Sequence, residues 1–268
     1  MSLAWKIDLT SSKVQQYWEL LQVLVARNLK VRYRGSFLGV YWSLINPLLM
    51  TGVYTAIFGT AFASYYGNSI INYVLAVFTG LVVINLFSAS TTQALLSVVN
   101  NGTLLNKISL PVSIFPISLI AANVFQFVIG VLPLLAIMTF INSKSFVNVL
   151  TLLLPLLALI LVCSGISLLV STLFVFFRDL PYFYELLVFM LWLSSPVFYP
   201  TAIVPASVKS FLILNPLLPV IESIRQISLS GTLPNFYLIT QSLLSGVIFL
   251  GLGLSCFCWW RRSFMDLL

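Results

Sequence analysis

Charged residues are scarce in this chain. Only 7% of its 268 residues are Asp, Glu, Lys or Arg, whereas 60% are hydrophobic. A soluble domain carries about 25% charged residues, and a soluble protein with so few would leave a large apolar surface in water. The composition excludes soluble classes and predicts an all-α integral membrane protein, because helices satisfy their own backbone in lipid.

Histidine is absent, which removes the commonest general base and metal ligand. The three cysteines, Cys163, Cys256 and Cys258, lie in apolar runs, so we expect neither a disulfide framework nor a zinc site. The six acidic residues are scattered along the chain. We therefore predict no metal, no cofactor and no catalytic residue in this chain.

The gaps between charged residues measure the membrane spans. A helical span needs about 20 residues, and the uncharged stretch 35–106 is long enough for two, with a polar turn at 64–72 between them. Each later gap holds one span. The predicted spans of this single transmembrane domain, 1–268, are 38–63, 71–99, 113–141, 147–176, 182–199 and 236–260.

The placement of the basic residues predicts the orientation. Six spans put both termini on one side of the membrane. If that side is the cytoplasm, ten of the 13 basic residues lie inside, as the positive-inside rule requires. The net charge of +7 is then a signal for topology and lipid headgroups, not for nucleic acid.

Residues 13–34 have the pattern of an amphipathic helix at the cytoplasmic membrane surface. Apolar residues recur there at helical spacing, and basic residues crowd the C-terminal half. The apolar positions are Val14, Trp18, Leu21, Val25 and Leu29, and the basic ones are Arg27, Lys30, Arg32 and Arg34. Such a helix places its basic groups at lipid phosphates. It serves either as a membrane anchor alone or also as a contact for a cytoplasmic partner.

Two connecting segments are too apolar to be free loops. Between spans two and three, residues 100–112 include Leu104, Leu105 and Ile108, which can pack on the bilayer or on a docked soluble subunit. The external segment 201–235 is interrupted by prolines and predicts two short helices, about 203–214 and 217–230. Glu222 and Arg225 are three residues apart on the second helix and can pair there.

Aromatic residues make up 14% of the chain. Tyr41, Trp42 and Tyr54 belong to a cluster in and around the first two spans. Aromatic rings anchor membrane proteins at the interface, and Tyr and Trp also stack on sugar rings. Both interpretations remain open, and these three residues are our candidates for lining a channel.

Several motifs in fixed order resemble the membrane subunit of type-2 ABC exporters of polysaccharides, the class that moves O-antigen, capsule and teichoic acid. The motifs are Leu29-Lys30-Val31-Arg32-Tyr33-Arg34-Gly35-Ser36-Phe37-Leu38-Gly39, Trp42, Asn46-Pro47, Leu105-Asn106-Lys107, Leu110-Pro111, Phe177-Arg178-Asp179, Ser195-Pro196-Val197-Phe198-Tyr199-Pro200, Asn215-Pro216 and Arg261-Arg262-Ser263-Phe264-Met265-Asp266. The C-terminus departs from the family pattern, in which an extra acidic residue often stands where this chain has Arg262-Ser263.

The resemblance implies a homodimer with a separate cytoplasmic ATP-binding subunit, which would hold ATP and Mg²⁺. It also implies an interface helix at 13–34, a coupling helix near 101–108 and gate helices within 201–230. The coupling candidates are Asn101, Leu104, Leu105, Lys107 and Ile108. The gate candidates are Glu222, Arg225, Pro196 and Pro216.

The energy source also follows from what is missing. The chain has no Gly-x-x-x-x-Gly-Lys-Ser/Thr loop for ATP phosphates. The charges Arg178, Asp179 and Glu185 are predicted at one membrane edge and none at mid-span, whereas ion-coupled carriers use charges inside the membrane. An externally powered pore is therefore favoured over a secondary carrier.

The sequence thus predicts the transmembrane subunit of an ATP-driven exporter of a lipid-linked polysaccharide in the bacterial inner membrane. Two alternatives remain open. One is a type-2 exporter of drugs or lipids. The other is a membrane-embedded transferase, which would need clustered carboxylates or a histidine, and only Asp179 and Glu185 lie near each other.

Overall fold

A computed structural model describes residues 13–105, 110–212, 215–229, 235–261 and 264. Within these ranges the secondary structure is helical throughout, without a strand. The helices are α1 Lys13–Arg32, α2 Trp42–Phe62, α3 Ile70–Leu95, α4 Ser97–Asn100, α5 Gly102–Leu105, α6 Ile114–Gly130, α7 Leu132–Ser143, α8 Phe146–Thr151, α9 Leu153–Phe176, α10 Leu180–Ser194, α11 Ala206–Leu212, α12 Leu218–Leu229 and α13 Phe236–Trp260. The prediction of an all-α membrane protein is confirmed.

Four helical stretches in the described residues are long and apolar enough to cross a membrane, and a bent pair raises the number to five. The four stretches are Gly39–Tyr66, Ile70–Leu95, Phe146–Phe176 and Phe236–Trp260. The bent pair is α6 and α7, whose axes differ by 45°. The bend has a local cause, because Pro133 in the first turn of α7 lacks an N–H and its ring clashes with the carbonyl four residues earlier.

The predicted span 182–199 differs from the structure at both ends. Helix α10 covers Leu180–Ser194, only 15 residues, which is shorter than the roughly 20 residues of a full span. The chain becomes extended at Ser195 because a residue that precedes a proline, here Pro196, is sterically kept out of the helical region. The six full spans of the prediction are therefore not all present as long helices.

Helix α3 lies at the centre of the molecule. Most of its side chains are buried, including the large residues Tyr73, Phe78 and Phe87. It packs against α2, α6, α9 and α12. Because other helices enclose α3, it is a rigid element that connects the two ends of the molecule.

Helices α9 and α13 have the most extensive mutual packing of any helix pair in the described residues. Their backbones meet at two glycines: a Cβ on Gly253 would lie 2.1 Å from the carbonyl oxygen of Gly165. Small residues at such crossings let two membrane helices approach until their backbones touch. The outer faces of α2 and α10 are instead exposed and apolar, as lipid-facing surfaces are.

A separate apolar core closes one end of the molecule, which we call the α1 end. It brings together Leu24 of α1, Leu105 of α5, Ile114 of α6 and Phe257 of α13. Phe264, beyond α13, is also fully buried in it. The predicted interface helix and the start of the predicted coupling helix therefore share one core. The opposite end, where α12 packs against α3, is the α12 end.

Candidate transport site

A polar cavity of about 420 Å³ lies among α1, α2, α3 and α6. Its wall is rich in carboxamide side chains, although the surrounding helices are strongly apolar. These side chains are Asn46, Asn85, Gln93, Asn123 and Gln126. Polar groups inside membrane helices are costly and generally mark the path of a substrate or ion, so this cavity is the first candidate for the transport path.

Arg32 at the end of α1 reaches into this cavity. Its Nη1 donates to Asn123 Oδ1 at 2.8 Å and to Gln126 Oε1 at 2.7 Å, and its Nη2 donates to Gln93 Oε1. All three acceptors are neutral, and no carboxylate is among the described residues that line the cavity. The prediction that Arg32 contacts lipid phosphates is therefore wrong, because its side chain turns inward and ties α1 to α3 and α6.

Trp18 and the predicted basic residues other than Arg32 are exposed, and different side chains of α1 pack against the protein. Trp18 is 58% exposed, and the basic residues Arg27, Lys30 and Arg34 are exposed. The inward face of α1 carries Leu24 and Asn28 instead, and Asn28 Nδ2 donates to Ser118 Oγ at 3.2 Å. Helix α1 thus has one face against the protein, while the side chains of Arg27 and Lys30 are exposed.

The three channel-lining candidates do not lie together. Trp42 lines the polar cavity, and Tyr41 is exposed next to it outside the lining. Tyr54 lies farther along α2 and stacks on Phe198, with ring centroids 5.3 Å apart and planes 8° from parallel.

Tyr54 belongs to a series of aromatic rings that joins α2 to the end of α10. The ring of Phe58 is 5.6 Å from that of Phe198, and Trp192 is 6.0 Å from it. Sequence reasoning missed Phe58, Trp192 and Phe198 as members of this group. The spacing of Tyr54, Phe58 and Phe62 on one face of α2 was a usable signal, because residues four apart are neighbours on a helix.

The coupling candidates are only partly described. Helix α5 begins at Gly102, and Asn101 Nδ2 donates to the carbonyl oxygen of Ser97 at 2.8 Å. Leu105 is 4% exposed, so the expectation that it offers a docking surface is wrong: it packs inward, in the core of the α1 end. Leu104 is half-buried at the edge of that core. Lys107 and Ile108 lie outside the described residues.

The gate candidate Arg225 is buried on α12, with 8% of its surface exposed. Its Nη2 donates to the carbonyl oxygens of Pro196 at 2.7 Å, Ala76 at 3.1 Å and Val197 at 3.3 Å. The pairing predicted with Glu222 is therefore replaced by bonds to main-chain oxygens. Arg225 fixes α12 to α3 and to the extended segment that follows α10.

Further hydrogen bonds hold the same extended segment. Tyr73 Oη donates to the carbonyl oxygen of Phe198 at 2.8 Å, and Asn215 Nδ2 donates to Ser195 Oγ at 2.8 Å. Pro216 is buried at the turn that leads into α12. Non-helical backbone at membrane depth must be satisfied by protein groups, and Arg225, Tyr73 and Asn215 provide that here. Pro196 and Arg225 are thus in direct contact, while Pro216 lies one residue from Asn215.

Glu222 takes no part in the hydrogen bonds that Arg225, Tyr73 and Asn215 make to the extended segment. It is half-buried and lines a second cavity at the α12 end, together with Tyr66 and Arg225. The guanidinium carbon of Arg225 lies 5.9 Å from the ring centroid of Tyr66.

No group of three or more His, Cys, Asp or Glu side chains that could hold a metal occurs in the described part of the chain. The site is thus built from carboxamides, two arginines and aromatic rings. These groups can bind and guide a polar molecule through hydrogen bonds and stacking.

Comparisons with known proteins give a consistent result. The model of the ABC-2 type transporter family matches residues 19–229. An O-antigen export system permease protein RfbA from Klebsiella pneumoniae is 30% identical over 253 residues, which cover 94% of this chain and 95% of the relative. A protein of the same name from Myxococcus xanthus is 30% identical over 227 residues, 83% of this chain and 85% of the relative. The family match includes all the described residues that line the polar cavity.

Proposed function

This chain belongs to the ABC-2 type transporter family, and we propose that it is the transmembrane subunit of an ATP-driven exporter that moves a lipid-linked polysaccharide. Two copies would form the channel between them. The observation that carries the proposal is the similarity to O-antigen export permeases along 94% of the chain. The polar cavity and the aromatic series in one apolar chain support a glycan as cargo.

A glycan suits the lining better than an apolar drug does. Sugar hydroxyls both donate and accept hydrogen bonds, and carboxamides such as Asn46, Asn85 and Gln126 offer both functions. The rings of Tyr54 and Phe198 add stacking surface. An apolar molecule in the same cavity would cover these carboxamides without offering them hydrogen-bond partners, which is unfavourable. Arg32, with neutral partners only, favours an anionic group on the cargo or its lipid carrier.

Energy would come from a separate ATP-binding subunit, which the family implies as a partner. That subunit would hold ATP and Mg²⁺ on the cytoplasmic side. The shared core of α1, α5 and α13 supports this role for the α1 end, because a push on α5 would move all three elements together. The positive-inside rule supports a cytoplasmic position for this end and for both termini.

The α12 end would then face outside the inner membrane. Arg225 joins α12 to the segment 195–199 and to α3. The gate would therefore yield as one body, by a shift between the two copies, since bending of α12 alone would break three hydrogen bonds to buried carbonyls. Such rigid-body movement is a common form of transporter gating.

Deletion of the gene in its host tests this proposal. We expect the surface polysaccharide to disappear and the lipid-linked glycan to accumulate inside, with both effects reversed by the wild-type chain. Surface glycan is measured on intact cells with a glycan-specific antibody, and internal glycan after lysis. A normal surface glycan in the deletion strain, accompanied by loss of drug or lipid export, would contradict the proposal and favour the alternative cargo.

A further inference from the structure

A second cavity, of about 550 Å³, opens at the α12 end. It lies between the turn Ala63–Tyr66, the turn at 200–202 and helix α12. Its volume falls in the range of small-molecule sites, about 300–1,000 Å³. It is separate from the polar cavity of Arg32, with which it shares no lining residue. We call it the α12 cavity.

Charged groups of both signs, and groups that donate or accept hydrogen bonds, line the α12 cavity. Arg225 brings a guanidinium to the wall. Glu222, three residues earlier, supplies a carboxylate, and no ion pair joins these two described residues. Asn72 and Gln226 add carboxamides to the wall. Arg225 supplies a cationic donor and Glu222 an anionic acceptor on the same wall, so a ligand that both donates and accepts hydrogen bonds would be stabilised here.

Two tyrosines give the α12 cavity an aromatic wall. Tyr65 is 53% exposed and offers its ring to whatever enters. Tyr66 lies beneath the guanidinium of Arg225. An amphipathic ring of this kind binds a molecule that has one apolar face and polar edges.

The chemistry of the lining selects one class of ligand. Glu222 would repel an anion such as phosphate, and the polar groups would be left unpaired against an acyl chain. A cation is disfavoured by Arg225 on the same wall. A neutral molecule with hydroxyl groups can donate to the carboxylate of Glu222 and accept from the guanidinium of Arg225.

We propose that the α12 cavity binds a neutral sugar unit of the exported glycan as the chain leaves the permease. This inference rests on the proposed function, from which it takes the glycan as cargo and the outward orientation of the α12 end. A weak sugar site at the exit would hold the emerging chain while the permease returns to its starting state.

Cysteine protection tests the site on the purified complex of the permease with its ATP-binding subunit in lipid nanodiscs. The reporter is Ala202→Cys, at an exposed position of the cavity wall. The same chain carries Cys256→Ser and Cys258→Ser, which remove the two native cysteines that are not buried. A second reporter, Thr103→Cys on α5, lies exposed at the other end. The probes are D-glucose, D-galactose, D-mannose, L-rhamnose, the released repeating unit of the host's surface glycan, and sodium phosphate.

At least one sugar should lower the rate of maleimide labelling of Ala202→Cys. The rate should fall by the factor 1 + c/Kd, where c is the concentration of that sugar and Kd is its dissociation constant. Labelling of Thr103→Cys should not change, and phosphate should not protect. Glu222→Gln and Tyr65→Ala should each weaken the protection. The matched control is Glu185→Gln, which removes an exposed carboxylate on α10 and should leave protection intact.

Equal slowing of both reporters, protection by phosphate, or no slowing by any sugar would overturn the site. These outcomes are distinguishable from failure of the proposed function, because labelling requires no transport. Intact glycan export without sugar protection removes the α12 site alone. Sugar protection in a chain whose deletion leaves surface glycan normal removes the export proposal and keeps the site.

Discussion

At the scale of single residues, two arginines organise the interior of this membrane protein. Arg32 bonds to three carboxamide oxygens, and Arg225 bonds to three main-chain oxygens. Sequence reasoning assigned Arg32 to lipid phosphates and paired Arg225 with Glu222, since charge spacing shows only local neighbours. The true partners are far away in the chain, and packing of distant helices brings them close.

Replacement of Arg32 should weaken the packing of α1 on the helix bundle. In Arg32→Gln, Asn123 Oδ1 and Gln126 Oε1 lose the guanidinium that donates to them, whereas Gln93 Oε1 still accepts from Asn123 Nδ2. A buried polar group left without its partner costs about 1–3 kcal/mol. We expect a lower melting temperature of the purified protein in detergent, together with reduced export of the glycan. Arg32→Lys should recover only part of the loss, because an ammonium group lacks the planar fork of donors.

The control for this prediction is Arg34→Gln, which removes an exposed charge two residues away. It carries the same charge change and should leave both measurements close to the wild type. Equal effects of the two variants would show that net charge, rather than the hydrogen bonds of Arg32, controls stability.

At the scale of helices, the close approach of α9 and α13 makes a specific prediction. In Gly253→Ala the new methyl group would overlap the carbonyl of Gly165, so the helices must move apart. Overpacking of this kind costs about 1–3 kcal/mol. We expect a lower yield of monodisperse protein in size-exclusion chromatography.

Gly251 provides the comparison for Gly253 on the same helix. A Cβ at this position meets nothing within 4 Å, so Gly251→Ala should behave like the wild type. If Gly251→Ala lowers the yield as much as Gly253→Ala does, an added methyl group anywhere on α13, rather than its contact with Gly165, is responsible, and the prediction is wrong.

The sequence predicts the bounds of a helix well only where the residues at its ends have one clear meaning. The last segment, predicted as 236–260, is the helix Phe236–Trp260, since Asn235 is a capping residue before it and arginines follow it. The bend between α6 and α7 was not predicted, although Pro133 was visible, because a proline can either kink a helix or begin a new one. Carboxamides scattered over three helices gave no local pattern, so the polar cavity was also missed.

At the scale of the whole molecule, the two ends have different constructions. The α1 end is an apolar core that joins α1, α5 and α13. The α12 end is held by hydrogen bonds from Arg225, Tyr73 and Asn215. The central helix α3 contacts elements of both ends. We expect this arrangement to transmit a movement of α5 as a displacement of the whole subunit, which suits a channel formed between two copies.

Inside-out vesicles from the host's inner membrane test the central claim, ATP-driven export of a glycan through this chain, most directly. When ATP is added, lipid-linked glycan should become enclosed in the vesicle lumen and resist an added glycosidase until detergent is present. A non-hydrolysable ATP analogue, or vesicles that lack this chain, should give no enclosure. Enclosure that proceeds without ATP and follows the proton gradient, or that persists when the chain is absent, would contradict the account.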